Sequence, residues 1–186
     1  MFQSPAEKSR KKGKPYRLAI VLAIIAFLVV APEVQEGNSM DPTIKDGDVC
    51  VAYKFARYSA KRKAPEPGTL VVLDKKYSLD AGADDNIVSR VIAVPGDTVE
   101  IKKGRVLVNG EEYVAKGDIT GATGKFPKTR LKGNQVFLLS DNRSSEKFEK
   151  LDSRNPKLGL VDMREIRGNV IFRLWPLGGF GLMTDK

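Results

Sequence analysis

Residues 87–110 read IVSRVIAVPGDTVEIKKGRVLVNG. The first eight are rich in β-branched and apolar side chains, and every second one (Ile87, Ser89, Val91, Ala93) falls on the same face of an extended chain. Pro95-Gly96-Asp97 stops the run. Two short apolar arms follow, residues 98–101 and 105–108, joined by Lys103-Gly104, and Asn109-Gly110 closes the second arm. A basic or amide residue before glycine between alternating arms is a hairpin turn signal, so this stretch predicts antiparallel strands. The same signature recurs on both sides. VCVAYKF (49–55), TLVVLD (69–74), QVFLL (135–139) and NVIFRL (169–174) read as strands separated by Gly, Pro, Asn and Asp. Residues 56–67 and 75–85 read as loops. The Gly- and Lys-rich stretch 115–133 reads as an irregular insertion. The expected fold over residues 33–186 is therefore all-β and mostly antiparallel, with little helix.

The pattern upstream is different. Residues 18–31, LAIVLAIIAFLVVA, carry no polar side chain. As a helix they span about 21 Å, and extension from Tyr16 to Val34 gives about 28 Å against a hydrocarbon core of about 30 Å. Three readings compete: a buried helix, a cleaved signal peptide and an uncleaved membrane anchor. The run is apolar all round and follows a basic tail, which disfavours the first. Pro32, directly after the small residues Val29-Val30-Ala31, disfavours cleavage. An anchor over residues 18–32 is the expectation, with Pro32 ending its helix.

The net charge of +9 agrees with that reading. Residues 1–17 hold Lys8, Arg10, Lys11, Lys12, Lys14 and Arg17 against Glu7, so over half of the excess lies in under a tenth of the chain. A nucleic-acid surface would place it on a folded face with aromatics interleaved. Here it precedes an apolar run, which orients a single span with the tail in the cytoplasm and the β domain outside, the tail touching anionic lipid. The chain has no histidine and one cysteine, Cys50. Ser-His-Asp triads, Cys-His dyads, histidine-ligated metals and disulfide frameworks are excluded. Cys50 reads as a small buried strand residue.

Close behind the apolar run lies EGNSMDPT (36–43), followed by Asp46-Gly47-Asp48-Val49. Gly37 permits unusual backbone geometry beside Ser39, which would expose a hydroxyl and aim a backbone N–H at a reacting carbonyl.

After an apolar anchor, EGNSMDPT resembles the nucleophile motif of the type I signal peptidases. Further blocks follow in order. Residues 48–55 look like the next strand. Arg90 to Asp97 (RVIAVPGD) is similar to the family's RVIGLPGD. Ser140-Asp141-Asn142-Arg143 matches GDNR except at Ser140, Asp152-Ser153-Arg154 matches DSR, and residues 173–177 (RLWPL) are like its closing strand. The resemblance implies a single-pass serine endopeptidase of the bacterial cell membrane that removes signal peptides from exported preproteins on the outer face. It implies Ser39 as nucleophile with its N–H as oxyanion donor, and Met40 packed beside the site. It implies a framework of Asp141, Arg143, Asp152 and Arg154, with Arg90 also supporting the site, no metal or other cofactor, and no nucleic-acid partner. Some members add a serine two residues before the nucleophile. Gly37 stands there, leaving only backbone. A self-cleaving repressor-type regulator shares Ser/Lys chemistry but needs a DNA-binding domain that this chain lacks.

The family's general base is a lysine whose amine, deprotonated by apolar burial, takes the serine proton. It immediately precedes Arg90, and Ser89 occupies that position. A serine hydroxyl there has no useful basicity and would bond to neighbouring backbone. The family also places a serine two residues before the DSR aspartate, against that lysine. Counting back from Asp152 gives Lys150. Serine and lysine would then have exchanged walls, with Lys150 supplying the amine. Eight residues separate Arg143 from Asp152 where the family has four, so Ser144 or Ser145 also competes for the serine position, and Lys147 and Lys150 also read as solvated loop charges. The alternative function is a catalytically impaired homologue acting as a membrane-attached binding or assembly factor.

Overall fold

The computed structural model describes residues 15–54, 63–74, 76–77, 86–115, 117, 119 and 121–183. The basic residues up to Lys14, most of the two expected loops, and Phe55 lie outside the described residues.

Among the described residues, one α-helix, α1 (Pro15–Val29), precedes twelve strands: β1 (Val30–Val34), β2 (Val49–Tyr53), β3 (Leu70–Leu73), β4 (Val88–Ala93), β5 (Thr98–Lys102), β6 (Arg105–Val108), β7 (Glu111–Glu112), β8 (Phe126–Arg130), β9 (Gln135–Leu139), β10 (Val161–Asp162), β11 (Ile166–Trp175) and β12 (Gly181–Leu182). The main sheet runs β1-β2-β11-β3-β4-β9-β10, with β12 on β11, and the second sheet runs β7-β6-β5-β8. All of these ladders are antiparallel. The mostly antiparallel β expectation is met.

The hairpin reading of residues 98–110 holds in detail. Lys103 and Gly104 take φ of 53° and 75°, and Asn109 and Gly110 take 55° and 93°. Paired left-handed residues match the twist of the flanking arms. Val99, Ile101 and Val106 of this sheet pack onto Ile92, Phe137 and Leu139 of the main one.

Two expectations are corrected. The helix occupies residues 15–29, not 18–32, and Pro32 does not end it. Residues 30–34 form β1, with Pro32 opposite Val51. An edge strand tolerates a proline because one side of it donates to no neighbour. At 15 residues α1 is about 22 Å long, and among the described residues no helix is long and apolar enough to cross a membrane. The stretch 115–133 is not simply an irregular insertion. It supplies β8, whose Phe126 ring sits 4.6 Å from that of Phe137, and the buried Ala122 and Leu131.

Cys50 lies on β2, 2% exposed, with its Sγ 3.7 Å from the Met183 sulfur. Burial pushes its thiol up, partly offset by the nearby Arg173 guanidinium. Since the thiolate is the reacting form, iodoacetamide is expected to leave the native chain unlabelled and to add one adduct in denaturant, read by mass spectrometry. A native adduct at a comparable rate would contradict this packing.

Candidate active site

Ser39 sits in the turn between β1 and β2, 6% exposed. The turn is tied at several points. Gln35 N–H donates to Asp48 O at 2.9 Å, extending the pairing beyond β1. Gly37 takes φ +71°, a left-handed conformation that a side chain would strain, and its N–H donates to Asp46 Oδ1 at 2.8 Å. Met40 and Ile44 are fully buried against Cys50, Leu70, Val72 and Val88. Asn142 clamps the turn from β9's end, its backbone N–H donating to Ser39 O and its side-chain amide to Asn38 O, both at 3.0 Å.

Behind this clamp lie two carboxylate–guanidinium pairs. Arg90, 1% exposed, grips Asp141 through Nε and Nη2, each at 2.7 Å. Its Nη1 donates to Gly68 O at 2.8 Å, and Nη2 reaches Thr43 Oγ1 at 3.2 Å. Thr43 Oγ1 in turn donates to Asp141 Oδ2. Arg143 approaches the same carboxylate at 3.4 Å and lies 5.9 Å from the Tyr113 ring centre. Burial pulls the Arg143 guanidinium below its ordinary range, with Asp141 acting against that. Arg154 grips Asp152 through Nε and Nη2 at 3.0 and 2.8 Å, and its Nη1 donates to Arg143 O at 2.8 Å. Asp152 also accepts Ser140 N–H at 3.0 Å, locking the second pair to β9. Fork-to-carboxylate geometry fixes both distance and angle. The two pairs therefore hold the turn that carries Ser39 at a set position over the main sheet.

The family model described as Signal peptidase, peptidase S26 matches residues 13–175. The chain belongs to that family. Among its relatives, Signal peptidase I of Bacillus licheniformis is 34% identical over 173 residues, covering 86% of this chain and 84% of that one. Signal peptidase IB of Staphylococcus aureus (strain COL) is 37% identical over 179 residues, covering 87% and 86%. The crystal structure of a signal peptidase I from Enterococcus faecalis V583 is 21% identical and covers 57% of this chain and 97% of that one, with a TM-score of 0.40.

Within this S26 chain, position 89 lies on β4 opposite Val71 of β3. Ser89 is fully buried and shares its face with Ile87 and Val91, which pack with Val71 and Leu138. Ala93, expected on that face, packs instead with Ile92 and Phe137, because the β4–β9 register shifts between Val91 and Ala93. The Ser89 hydroxyl was expected to bond backbone and has no hydrogen-bond partner. Lys150 is exposed on the short 3₁₀ helix Glu146–Leu151. Lys147 is also exposed, with its Nζ 5.4 Å from the Phe148 ring centre. Ser144 is exposed and Ser145 precedes that helix.

Among the described residues, the side chain that reaches the Ser39 hydroxyl is Gln35, whose Nε2 donates to Oγ at 3.4 Å and also to the carbonyls of Glu36 and Gly37. An amide is no base, so this contact orients Oγ without activating it. Gln35 and Thr43 were missed by sequence reasoning. Thr43 stood inside the quoted motif, whereas nothing in the local pattern marks Gln35.

Proposed function

We propose that this chain is a signal-peptide endopeptidase working at the bacterial membrane surface, with Ser39 as nucleophile and a rate limited by the missing amine at position 89. The observation that carries the reading is the clamp from Asn142 onto the Ser39 carbonyl, backed by the Arg90–Asp141 pair. A nucleophile held in a glycine-shaped turn that is hydrogen-bonded to the main sheet is preorganised for attack on an acyl carbonyl. The substrate would be an extended preprotein segment with small side chains near the cut. β1 is an edge strand of the main sheet and runs into the Ser39 turn, which suits binding by strand addition.

Membrane association is supported by apolar exposure. Leu18, Ile20, Val21 and Leu22 of α1 are exposed. A second patch joins Val34 of β1 to Leu174, Trp175, Leu177, Phe180 and Leu182 near the C-terminal end, through the register Val34–Val49–Trp175. Large contiguous apolar patches mark interaction with membranes or partners. The proposed topology keeps the basic N-terminal tail in the cytoplasm and the β domain outside.

A serine-reactive acylating inhibitor is expected to label Ser39 in the full chain in vesicles. Slow preprotein cleavage is expected to vanish in Ser39→Ala. Lys150→Ala tests the relocated base: loss of residual cleavage assigns the amine to Lys150, while unchanged cleavage removes it from the mechanism. The second reading, a membrane-attached binding or assembly factor, is favoured by the buried, unpartnered Ser89 hydroxyl standing where the family has its base. Absence of Ser39 labelling, with preprotein binding retained, would establish it over the enzyme.

A further inference from the structure

Asn142, Arg90 and Asp141 hold the Ser39 turn from β4 and the end of β9. A further side chain holds it from β11. Arg173 lies there, opposite Cys50 of β2, and its Nη2 donates to the Thr43 carbonyl. Its Nε stands 3.3 Å from Asp48 Oδ2, the two side chains being 19% and 5% exposed. Asp48 also accepts the Lys45 N–H at 3.1 Å. One planar guanidinium therefore ties the middle of the turn to its end, a two-acceptor grip that the point charge of a lysine does not reproduce. The Thr43 hydroxyl is already bonded to Asp141 and Arg90, so Thr43 is gripped by its side chain and by its carbonyl from different strands. Ile44 N–H donates to Met40 O at 2.9 Å, closing the single turn of chain between this grip and Ser39.

What confines Arg173 is the C-terminal segment. Beyond Trp175 the chain makes a 3₁₀ turn at Leu177–Gly179 and returns as β12, with Gly181 opposite Arg173 and Leu182 opposite Phe172. The Phe180 ring packs edge-on to that of Phe172, centres 4.8 Å apart. Met183 N–H donates to Ile171 O at 3.0 Å, and its sulfur lies beside Cys50. Between these anchors Gly179 lies against the guanidinium. A Cβ at position 179 would stand 2.7 Å from Arg173 Nη1 and 3.0 Å from its Cδ. Gly179 is not among the glycines with positive φ, so its backbone does not call for glycine, whereas the space does. The end of a free arginine would swing aside. This one is bound to Thr43 and Asp48 and yields only by leaving them. At the neighbouring Gly178 a Cβ would meet nothing within 4 Å.

We propose that Arg173 is a positioning residue for Ser39, and that residues 177–183 are the strap that keeps it in place, with the bare Cα of Gly179 as the point of contact. The consequence for Ser39 rests on the proposed nucleophile, and the coupling of strap to turn does not. The strap touches no reacting atom. It acts through the guanidinium on Thr43 and Asp48, and through them on the placement of Oγ against a carbonyl, where a shift of about 1 Å costs roughly 10²-fold in rate.

The test compares Gly179→Ala, Gly178→Ala and Arg173→Lys with the parent, each as the full chain in vesicles. Amide hydrogen exchange over residues 37–48, read by mass spectrometry, reports the turn without reference to catalysis. Labelling of Ser39 by an acylating inhibitor, resolved into a binding constant and an acylation rate constant, reports the nucleophile. Gly179→Ala is expected to speed exchange over residues 37–48 by about tenfold while leaving β4 and β9 as in the parent. Its acylation rate constant is expected to fall by roughly 10–100-fold with inhibitor binding nearly unchanged. Arg173→Lys should do the same, since it keeps the charge and loses the fork. Gly178→Ala should behave as the parent. Unchanged exchange over residues 37–48 in Gly179→Ala, an equal effect in Gly178→Ala, or a rise shared by the whole main sheet would overturn the proposal, the last because it marks a general loss of stability. Faster exchange confined to the turn, with the acylation rate constant unchanged, would uphold the strap and remove Arg173 from the positioning of Ser39. If Ser39 of the parent takes no inhibitor, the nucleophile reading fails on its own, and the exchange over residues 37–48 still decides the coupling.

Discussion

A chain carrying Ser89→Lys is expected to cleave a preprotein roughly 10²–10⁴ times faster than the chain as it stands, the usual range for a positioned general base. That corresponds to roughly 3–5 kcal/mol in the barrier. The expectation follows from the setting of position 89. Its face is shared with Ile87 and Val91 and lined by Val71 and Leu138, all buried. A lysine ammonium in water loses its proton near pH 10.4, and an apolar wall penalises the cation enough to bring that to about 7–8. The neutral amine then takes the Ser39 proton as Oγ attacks, and returns it to the leaving amine. Measured as kcat/KM against pH, the gain should fall away below neutrality as the amine protonates. No gain, in a folded variant whose Ser39 still takes an acylating inhibitor, would mean that position 89 does not face the nucleophile.

Asp141→Ala is expected to cost about 3–5 kcal/mol of folding stability, read as a fall in the urea midpoint. The substitution strips the carboxylate from Arg90 and Arg143, each 1% exposed, and leaves two cations facing one another in the interior. It also takes the acceptor from Thr43 and loosens the strand end that carries Asn142. Against a total of about 5–15 kcal/mol for a typical domain, such a loss threatens the fold itself. The diagnostic control replaces both members, Arg90→Met with Asp141→Leu. Removing a whole buried pair in favour of apolar groups is far milder than orphaning one charge, so the double variant should be more stable than Asp141→Ala. If both fall equally, the hydrogen bonds to Gly68 and Thr43, and not the charge pairing, hold this frame together.

Much of the β domain was legible because its local chemistry is explicit. Lys103-Gly104 and Asn109-Gly110 announce left-handed turn residues, and the first arm beside them, TVEIK, alternates strictly. The charged frame was legible as a set of residues, through the resemblance, but the partners were not. That Asp141 belongs chiefly to Arg90 is a consequence of β4 lying beside β9, a pairing of distant segments. β1 was hidden because an unbroken apolar run reads alike as helix and strand, and its continuation beyond Val29 is decided by pairing with β2. β8 was hidden by its Lys, Thr and Pro content, since one half-buried ring, Phe126 against Phe137, carries its packing. The face shift at Ala93 comes from a bulge, which strict alternation cannot foresee. Gln35 was invisible for a simpler reason: a single amide four residues before a serine has no signature until the turn folds back on it.

The junction of α1 and β1 has one more consequence. No linker separates them: Val30 follows Val29, and Lys54 N–H donates to the Val29 carbonyl at 2.7 Å. From there to Gln35 the backbone is paired against β2 and Asp48, a stiff run of about 20 Å. The helix end and the Ser39 turn are thus the two ends of a ruler. A peptide laid beside β1 with its own apolar segment level with α1 would present its scissile bond at one fixed height, and the length of that strand, more than any side-chain pocket, would set how far beyond the apolar segment the cut falls.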